Sequence, residues 1–423
     1  MSNLFKALLL RLVVARGSAW IAARARKAVH AAAGTRVTAQ PGRQLLVDVS
    51  IIAAHDAGTG IQRVVRSLLT QLIASPPDGF EVRPVRATRK RAYEYADSYL
   101  GSLTGAKPFA STAPIRVTNG DIFLGLDLSG RALPCRQFDL LEWRAQGVRQ
   151  CFIVYDLLPL TNEQWFTPVA RKSFRRWLNT LSIHADAVFC ISRTVAKETQ
   201  TWLDNRLGTA TNNLDVRWFH LGADLSAHKT RSSIDAAATP STHRHPLTGQ
   251  TIMMVGTLEP RKGHALVLDA FETLWANNAN ATLVIAGKTG WHVEKLVSRL
   301  RTHPQWGKRL IWFDNVTDEQ LSEMYSSFDG LIFASEAEGF GLPLIEAAHF
   351  GLPILARDIP VFREVANEHA TYFKAASGAE LAPQINQWFD LLARHEAPSS
   401  QAMQCLSWAE SATQLKHLLA DLA

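Results

Sequence analysis

From position 45 onward the chain alternates short apolar runs with longer segments whose apolar residues recur every three or four positions. That is the pattern of parallel strands covered by helices. In the first half, 45–51, 80–86, 121–126, 151–155, 187–191 and 216–221 predict strands, and 61–73, 168–183 and 194–205 predict helices. Residues 87–118 show no clear period, carry Arg89, Lys90 and Arg91, and predict no element. Residues 226–250 are rich in Ser, Thr, Ala, His and Pro and poor in large apolar side chains, the composition of a linker. A second alternating series follows, with strands at 252–255, 282–286, 310–313, 330–333 and 353–356 and helices at 264–276, 292–301, 318–326, 344–349 and 379–393. The expected fold class is α/β, with two doubly wound Rossmann-like domains, 44–225 and 251–400, facing across a cleft. A tail (1–43) precedes them and a terminal helix (401–423) follows. Ligands of such sheets bind outside the carboxyl ends of the strands, which places the expected site in that cleft.

Composition agrees with a globular protein: 47% of the 423 residues are hydrophobic and 20% charged, and the length supports two cores. Cys135, Cys151, Cys190 and Cys405 have neither metal-ligand nor paired spacing, which favours a reduced, cytoplasmic setting. Charge changes the picture more. No Asp or Glu precedes Asp48, whereas Lys6, Arg11, Arg16, Arg24, Arg26, Lys27, Arg36 and Arg43 do. Taking these eight from the total of +7 leaves the rest of the chain at −1, so the basic character belongs to the tail. A nucleic-acid partner is disfavoured, because its basic surface would spread over the folded domain. The tail's uncharged run is too short to span a bilayer, and Arg11 interrupts the apolar region a secretory signal needs. On a helical wheel its cations fall on several sides. Two readings stay open: peripheral contact with an anionic membrane on the inner face of the cell membrane, or a solvated or core-docked helix.

The strongest chemical constellation runs from Ser335 to Glu346, between a predicted strand and a predicted helix. Gly339 and Gly341 let backbone approach a ligand, and Pro343 suits a first helical turn. Amides opening a helix carry partial positive charge, which suits a diphosphate. Glu338 lies in the loop and Glu346 in the helix, so one carboxylate is free for a sugar beyond the phosphates and the other for ribose hydroxyls. A second piece, Gly256 to His264, follows the first strand of the second domain. It holds Arg261 and Lys262, cations able to stabilise charge on a departing pyrophosphate. A third, Ala57 to Arg63 with Gly60, is a glycine-rich turn without a dinucleotide or phosphate-loop fingerprint.

Together with Asp314 to Leu321, these segments resemble the retaining nucleotide-sugar glycosyltransferases of the GT-B fold, family 4 type. Asp48-Val49-Ser50, Gly60 to Arg63, Tyr155 to Pro159 and Phe219 to Asp224 resemble its polysaccharide-assembling, mannosyltransferase-like branch. The resemblance implies transfer of a hexose, mannose being the first candidate, from a nucleotide-sugar donor to a glycan or glycolipid acceptor such as lipopolysaccharide. Glu338 would then contact the hexose, Glu346 the ribose, Arg261 and Lys262 the diphosphate, and Asp314 and Val316 the base. Gly60, Gly339, Phe340, Gly341 and Leu342 would line the donor, with Asp156 on the acceptor side. The expected chemistry retains anomeric configuration through same-face attack. It needs no cofactor and no metal, since cations and a helix terminus stand at the leaving group. Two departures from the pattern are Thr257, where many members carry Arg, and Tyr155, where His is common; His184 is expected to pack rather than catalyse. A same-fold transferase with a soluble acceptor, or a non-catalytic nucleotide-sugar-binding assembly partner, are the alternatives.

Overall fold

A computed structural model describes residues 3–31, 42–105, 114–208, 214–223 and 249–422. Nearly all of the linker read at 226–250, part of the unassigned 87–118 stretch, Arg36 of the tail and Asp224 lie outside the described residues. The chain forms two compact units, 1–221 with 408–423 and 222–407.

The first unit comprises α1 (Asn3–Arg16), α2 (Ala19–Ala31), β1 (Arg43–Asp48), α3 (Gly60–Ala74), β2 (Phe80–Arg86), β3 (Glu94–Tyr95), α4 (Asp97–Thr104), β4 (Ile122–Gly125), α5 (Gln137–Ala145), β5 (Arg149–Val154), α6 (Leu158–Thr161), α7 (Pro168–His184), β6 (Ala187–Cys190), α8 (Arg193–Leu207) and β7 (Asp215–Trp218). Among the described residues its sheet has the order β3-β2-β1-β4-β5-β6-β7, parallel except for β3. β1 stops at Asp48, short of the predicted end, because Ser50 turns back to donate to Asp48 from both its amide and its hydroxyl. Leu46, Phe123, Phe152, Trp177, Leu178 and Leu181 anchor its core.

α1 and α2 dock on this unit. Ala7, Leu10, Val14 and Val29 pack with Leu141 and Ile183. Arg26 is also buried, donating to the carbonyls of Ser182 (3.1 Å) and Ala185 (2.7 Å) at the end of α7, where a cation meets the negative helix terminus. Burial lowers its guanidinium to about 10. The cations that a wheel scatters around the tail are therefore sorted by docking, with Arg26 facing inward.

The second unit comprises β8 (Gln250–Val255), α9 (His264–Ala276), β9 (Ala281–Ala286), α10 (Glu294–Thr302), β10 (Leu310–Phe313), α11 (Asp318–Ser327), β11 (Gly330–Phe333), α12 (Leu342–His349), β12 (Ile354–Arg357), α13 (Pro360–Ala366), β13 (Thr371–Phe373) and α14 (Gly378–Ala393). Its described sheet, β10-β9-β8-β11-β12-β13, is parallel throughout. Helix α15 (Trp408–Ala420) belongs to the first unit, where it packs on α3 and Ser411 donates to the His220 carbonyl at 2.7 Å.

Candidate active site

In the second unit the strand order reverses between β8 and β11. Loops leaving neighbouring strands in opposite directions at such a point open a crevice at the carboxyl edge. The loop after β8 carries 256–263 and the loop after β11 carries 334–341, so the topology places the two motifs side by side. Gly263 makes the closeness visible: at φ 75°, a Cβ there would stand 2.5 Å from the Ala334 carbonyl oxygen. The Glu336 amide also donates to the Arg261 carbonyl at 2.8 Å. At the mouth of α12, Gly341 takes φ 110° as the helix cap without a capping side chain, which leaves Leu342 and Pro343 as the first helical residues.

This register brings four charged side chains together. Arg261 lies 2.9 Å from both Glu259 and Glu338 and donates to the Ala337 carbonyl at 3.1 Å. Lys262 Nζ stands 2.5 Å from Glu338 Oε1 and 5.8 Å from the Phe333 ring centroid. The Glu338 side chain is only 11% exposed. Burial pushes its carboxyl up, but Arg261 and Lys262 outweigh that and hold it at about 2. Burial raises Glu259, with the same cations opposing. Two cations thus face two carboxylates, so any anion entering here would compete with Glu338 for Arg261 and Lys262.

Glu346, in the first turns of α12, is buried and accepts the Tyr325 hydroxyl at 2.8 Å. Tyr325 comes from α11 and stacks on Phe350 at 5.8 Å between ring centroids. Phe340, within the loop after β11, is buried. Asp314 is exposed and Val316 half-buried on the turn leaving β10, two strands from β8 along the sheet. Sequence reasoning gave no role to Glu259 or Tyr325. Glu259 stood inside the recognised Gly256–Gly263 segment, but its pairing became visible only through burial. Tyr325 carried no signal, because a helical tyrosine reads as a packing residue.

Gly60 and Asp156 lie in the first unit. Gly60 is the first residue of α3, behind the Thr59–Gln62 capping box, and a Cβ on it would meet nothing within 4 Å. Asp156 follows β5, where its carboxylate accepts the Leu158 amide at 3.1 Å; partial desolvation and then the Asp156 charge raise the Glu198 carboxyl. Tyr155 is buried and donates to the Leu126 carbonyl at 2.7 Å, a tie between β5 and the end of β4. His184 is buried with Nε2 2.7 Å from Gln137 Oε1.

The first unit's own reversal, between β1 and β4, holds two buried acids. Asp48 accepts from Tyr93 (2.9 Å) and Ser129 (2.8 Å), and Asp127 accepts the amides of Ile51 (2.7 Å) and Ile52 (2.8 Å). Burial, then the charge of Asp48, pushes Asp127 up to about 6. A carboxyl raised on folding binds its proton more tightly in the native state, so this group's stabilisation is present near pH 4 and lost as pH rises through 6. Asp127→Asn removes that dependence. Relative to wild type the variant is expected to gain about 1 kcal/mol of stability from pH 5 to pH 7. Parallel melting curves at both pH values check it, and equal pH slopes for the two proteins would contradict it.

Comparison with known proteins follows the same lines. Residues 236–404 match the family described as glycosyl transferases group 1. The chain is 42% identical over 376 residues to the serotype-specific mannosyltransferase WbdA of Escherichia coli, which covers 88% of this chain and 44% of that protein. It is 29% identical over 210 residues to the O-antigen chain mannosyltransferase B of Escherichia coli, 47% of this chain and 50% of that one. The chain thus spans about half, or less, of these relatives. Anabaena HepE in complex with UDP and glucose superposes with a TM-score of 0.61 at 15% identity, over 89% of this chain and 99% of that one. Sucrose-phosphate synthase from Thermosynechococcus elongatus does so with 0.61 at 15%, over 90% and 99%. At those identities the structural likeness concerns the fold alone.

Proposed function

Because the chain carries a glycosyl transferases group 1 domain on a GT-B fold, we propose that it transfers a hexose, mannose first, from a nucleotide-sugar to a growing lipid-linked or lipopolysaccharide-type glycan, with retention of configuration and without a metal. The observation that carries this reading is the meeting of Arg261, Lys262, Glu338 and the 339–342 loop at the second unit's reversal point. The likeness to two mannosyltransferases supports the sugar, and the name of the second, for O-antigen chains, supports the acceptor class.

In this reading the donor diphosphate sits against Arg261, Lys262 and the opening of α12, with Gly339, Phe340, Gly341 and Leu342 forming the wall. Glu338 moves from the cations to the hexose hydroxyls. Glu346, oriented by Tyr325, accepts from the ribose, and Asp314 and Val316 flank the base. As the glycosidic oxygen leaves, negative charge builds on the diphosphate and the two cations stabilise it. The acceptor hydroxyl enters on the same face, and the departing phosphate takes its proton. Asp156 and Gly60 serve the acceptor side and the donor rim in the first unit. Cationic side chains perform the task a metal performs elsewhere, so chelator leaves the rate unchanged.

The test offers GDP-mannose, UDP-glucose and other nucleotide-sugars to the full chain with a mannose-terminated acceptor, with and without EDTA, and reads the product linkage by NMR. An α-linked product from an α-linked donor, insensitive to EDTA, is expected. A β-linkage would overturn retention, a loss of rate with EDTA would overturn metal independence, and no transfer from any donor would overturn the reading.

A further inference from the structure

Docking of α1 and α2 leaves a second face of the same two helices outward. Leu8 (51% exposed), Leu12 (65%) and Trp20 (69%), with Leu9 and Ile21, present large apolar side chains to solvent. Isolated exposed apolar residues are ordinary, but six within two consecutive helices, Phe5 (51%) included, mark a binding surface. On the same helices Arg16, Arg24 and Lys27 are exposed and Lys6 is half-buried, Arg11 reaches back to the Cys135 carbonyl, and no acidic residue occurs before Asp48. Arg24 stands 5.5 Å from the Trp20 ring centroid, so a cation and an indole share one spot of the surface. No described helix is long and apolar enough to cross a membrane; α1 has 14 residues.

We propose that this face of α1 and α2 lies in the headgroup region of an anionic bilayer, with Leu8, Leu12, Trp20 and Ile21 inserted and Lys6, Arg24 and Lys27 against lipid phosphates. Apolar insertion and cation attraction act together in such surfaces, and indole favours the boundary between the two phases. Charge complementarity selects this occupant over a second copy of the chain. A symmetric pairing of the patch would bring its cations against their own copies with no acid to receive them. The inward face is committed elsewhere: Ala7, Leu10, Val14, Ala22, Arg26 and Val29 are buried in the unit. The α1–α2 pair therefore acts as a fixed foot, not a free tail. The proposal rests on the proposed lipid-linked acceptor for its biological reason but not for its test.

The full chain is floated on vesicles of phosphatidylcholine alone and of phosphatidylcholine mixed with phosphatidylglycerol. Wild type is expected to float with the mixed vesicles and to stay behind with the neutral ones. The variant Leu8→Glu, Leu12→Glu, Trp20→Glu is expected to lose flotation. The variant Lys6→Gln, Arg24→Gln, Lys27→Gln is expected to lose about a hundredfold in partitioning, the effect of three interfacial cations. Circular dichroism confirms folding, and transfer to a soluble acceptor is expected to stay within about twofold of wild type in both. Failure of wild type to float, flotation of the glutamate variant, or a patch-dependent dimer in light scattering without vesicle binding would each overturn the proposal. Absence of transfer alongside flotation would instead count against the proposed reaction.

Discussion

Lys262→Ala is expected to lower transfer at saturating donor by about a hundred- to a thousandfold, the range seen when one preorganised group facing a developing oxyanion is removed. Lys262 sits at the carboxyl edge of the second sheet with its Nζ 2.5 Å from Glu338 and little exposure, so its charge acts at low dielectric, where it is worth more than in water. The loss falls on kcat more than on KM, because in the proposed reaction the charge it answers grows as the glycosidic bond breaks. A second signature accompanies it. With one of its two cations gone, Glu338 in the ligand-free site rises from about 2 toward the ordinary carboxylate range, and the acid limb of the kcat/KM profile, which reports the free enzyme, moves up with it. Steady-state kinetics across the acid range on a correctly folded variant check both. An unchanged kcat would remove Lys262 from the reaction.

Glu338→Gln is expected to move two measurements in opposite directions. In the ligand-free site the carboxylate holds Arg261 and Lys262, so in the proposed reaction a diphosphate must displace it. Glutamine keeps the shape without the charge. Nucleoside diphosphate is therefore expected to bind about tenfold tighter, which is about 1.4 kcal/mol. Transfer is expected to fall about ten- to a hundredfold, since a charged hydrogen bond to the hexose contributes about 1.5–3 kcal/mol. Stability also responds. A carboxyl held at about 2 stabilises the fold fully above pH 4.5 and loses that as pH falls toward 2, and the variant lacks this acid sensitivity. Calorimetric titration with the diphosphate, beside the rate, is decisive: weaker binding together with slower transfer would indicate simple damage and remove the competition between Glu338 and the donor.

Most strands were legible because a parallel strand buried on both faces must be apolar along its length, as at Val47, Ile153, Val188, Ile285 and Ile332. Helix α5 was not. It buries Gln137 and Arg144 beside Leu140 and Trp143, so its inward face lacks an apolar period. Those side chains find partners far along the chain, Arg144 in Asp186 at 3.0 and 2.9 Å and Gln137 in Thr180 at 3.3 Å and His184 at 2.7 Å. Strand β13 and helix α13 were too short to show a period. The tail's wheel was ambiguous for a different reason: both helices carry apolar residues on two faces, and only docking distinguishes the inward one.

The chain's own order of residues determined the alternating α/β architecture, the chemistry available in each loop and the concentration of positive charge before Asp48. These are local properties, set by periodicity, side-chain type and backbone freedom. The pairing of Lys262 with Glu338 across 76 positions, the burial of Glu346 against Tyr325 and the outward turn of Leu12 and Trp20 were decided by tertiary structure. Strand order brings β8 and β11 together at a reversal, and no periodicity encodes which strands become neighbours. A charge's environment, and with it its pKa and its partner, exists only once those strands have met.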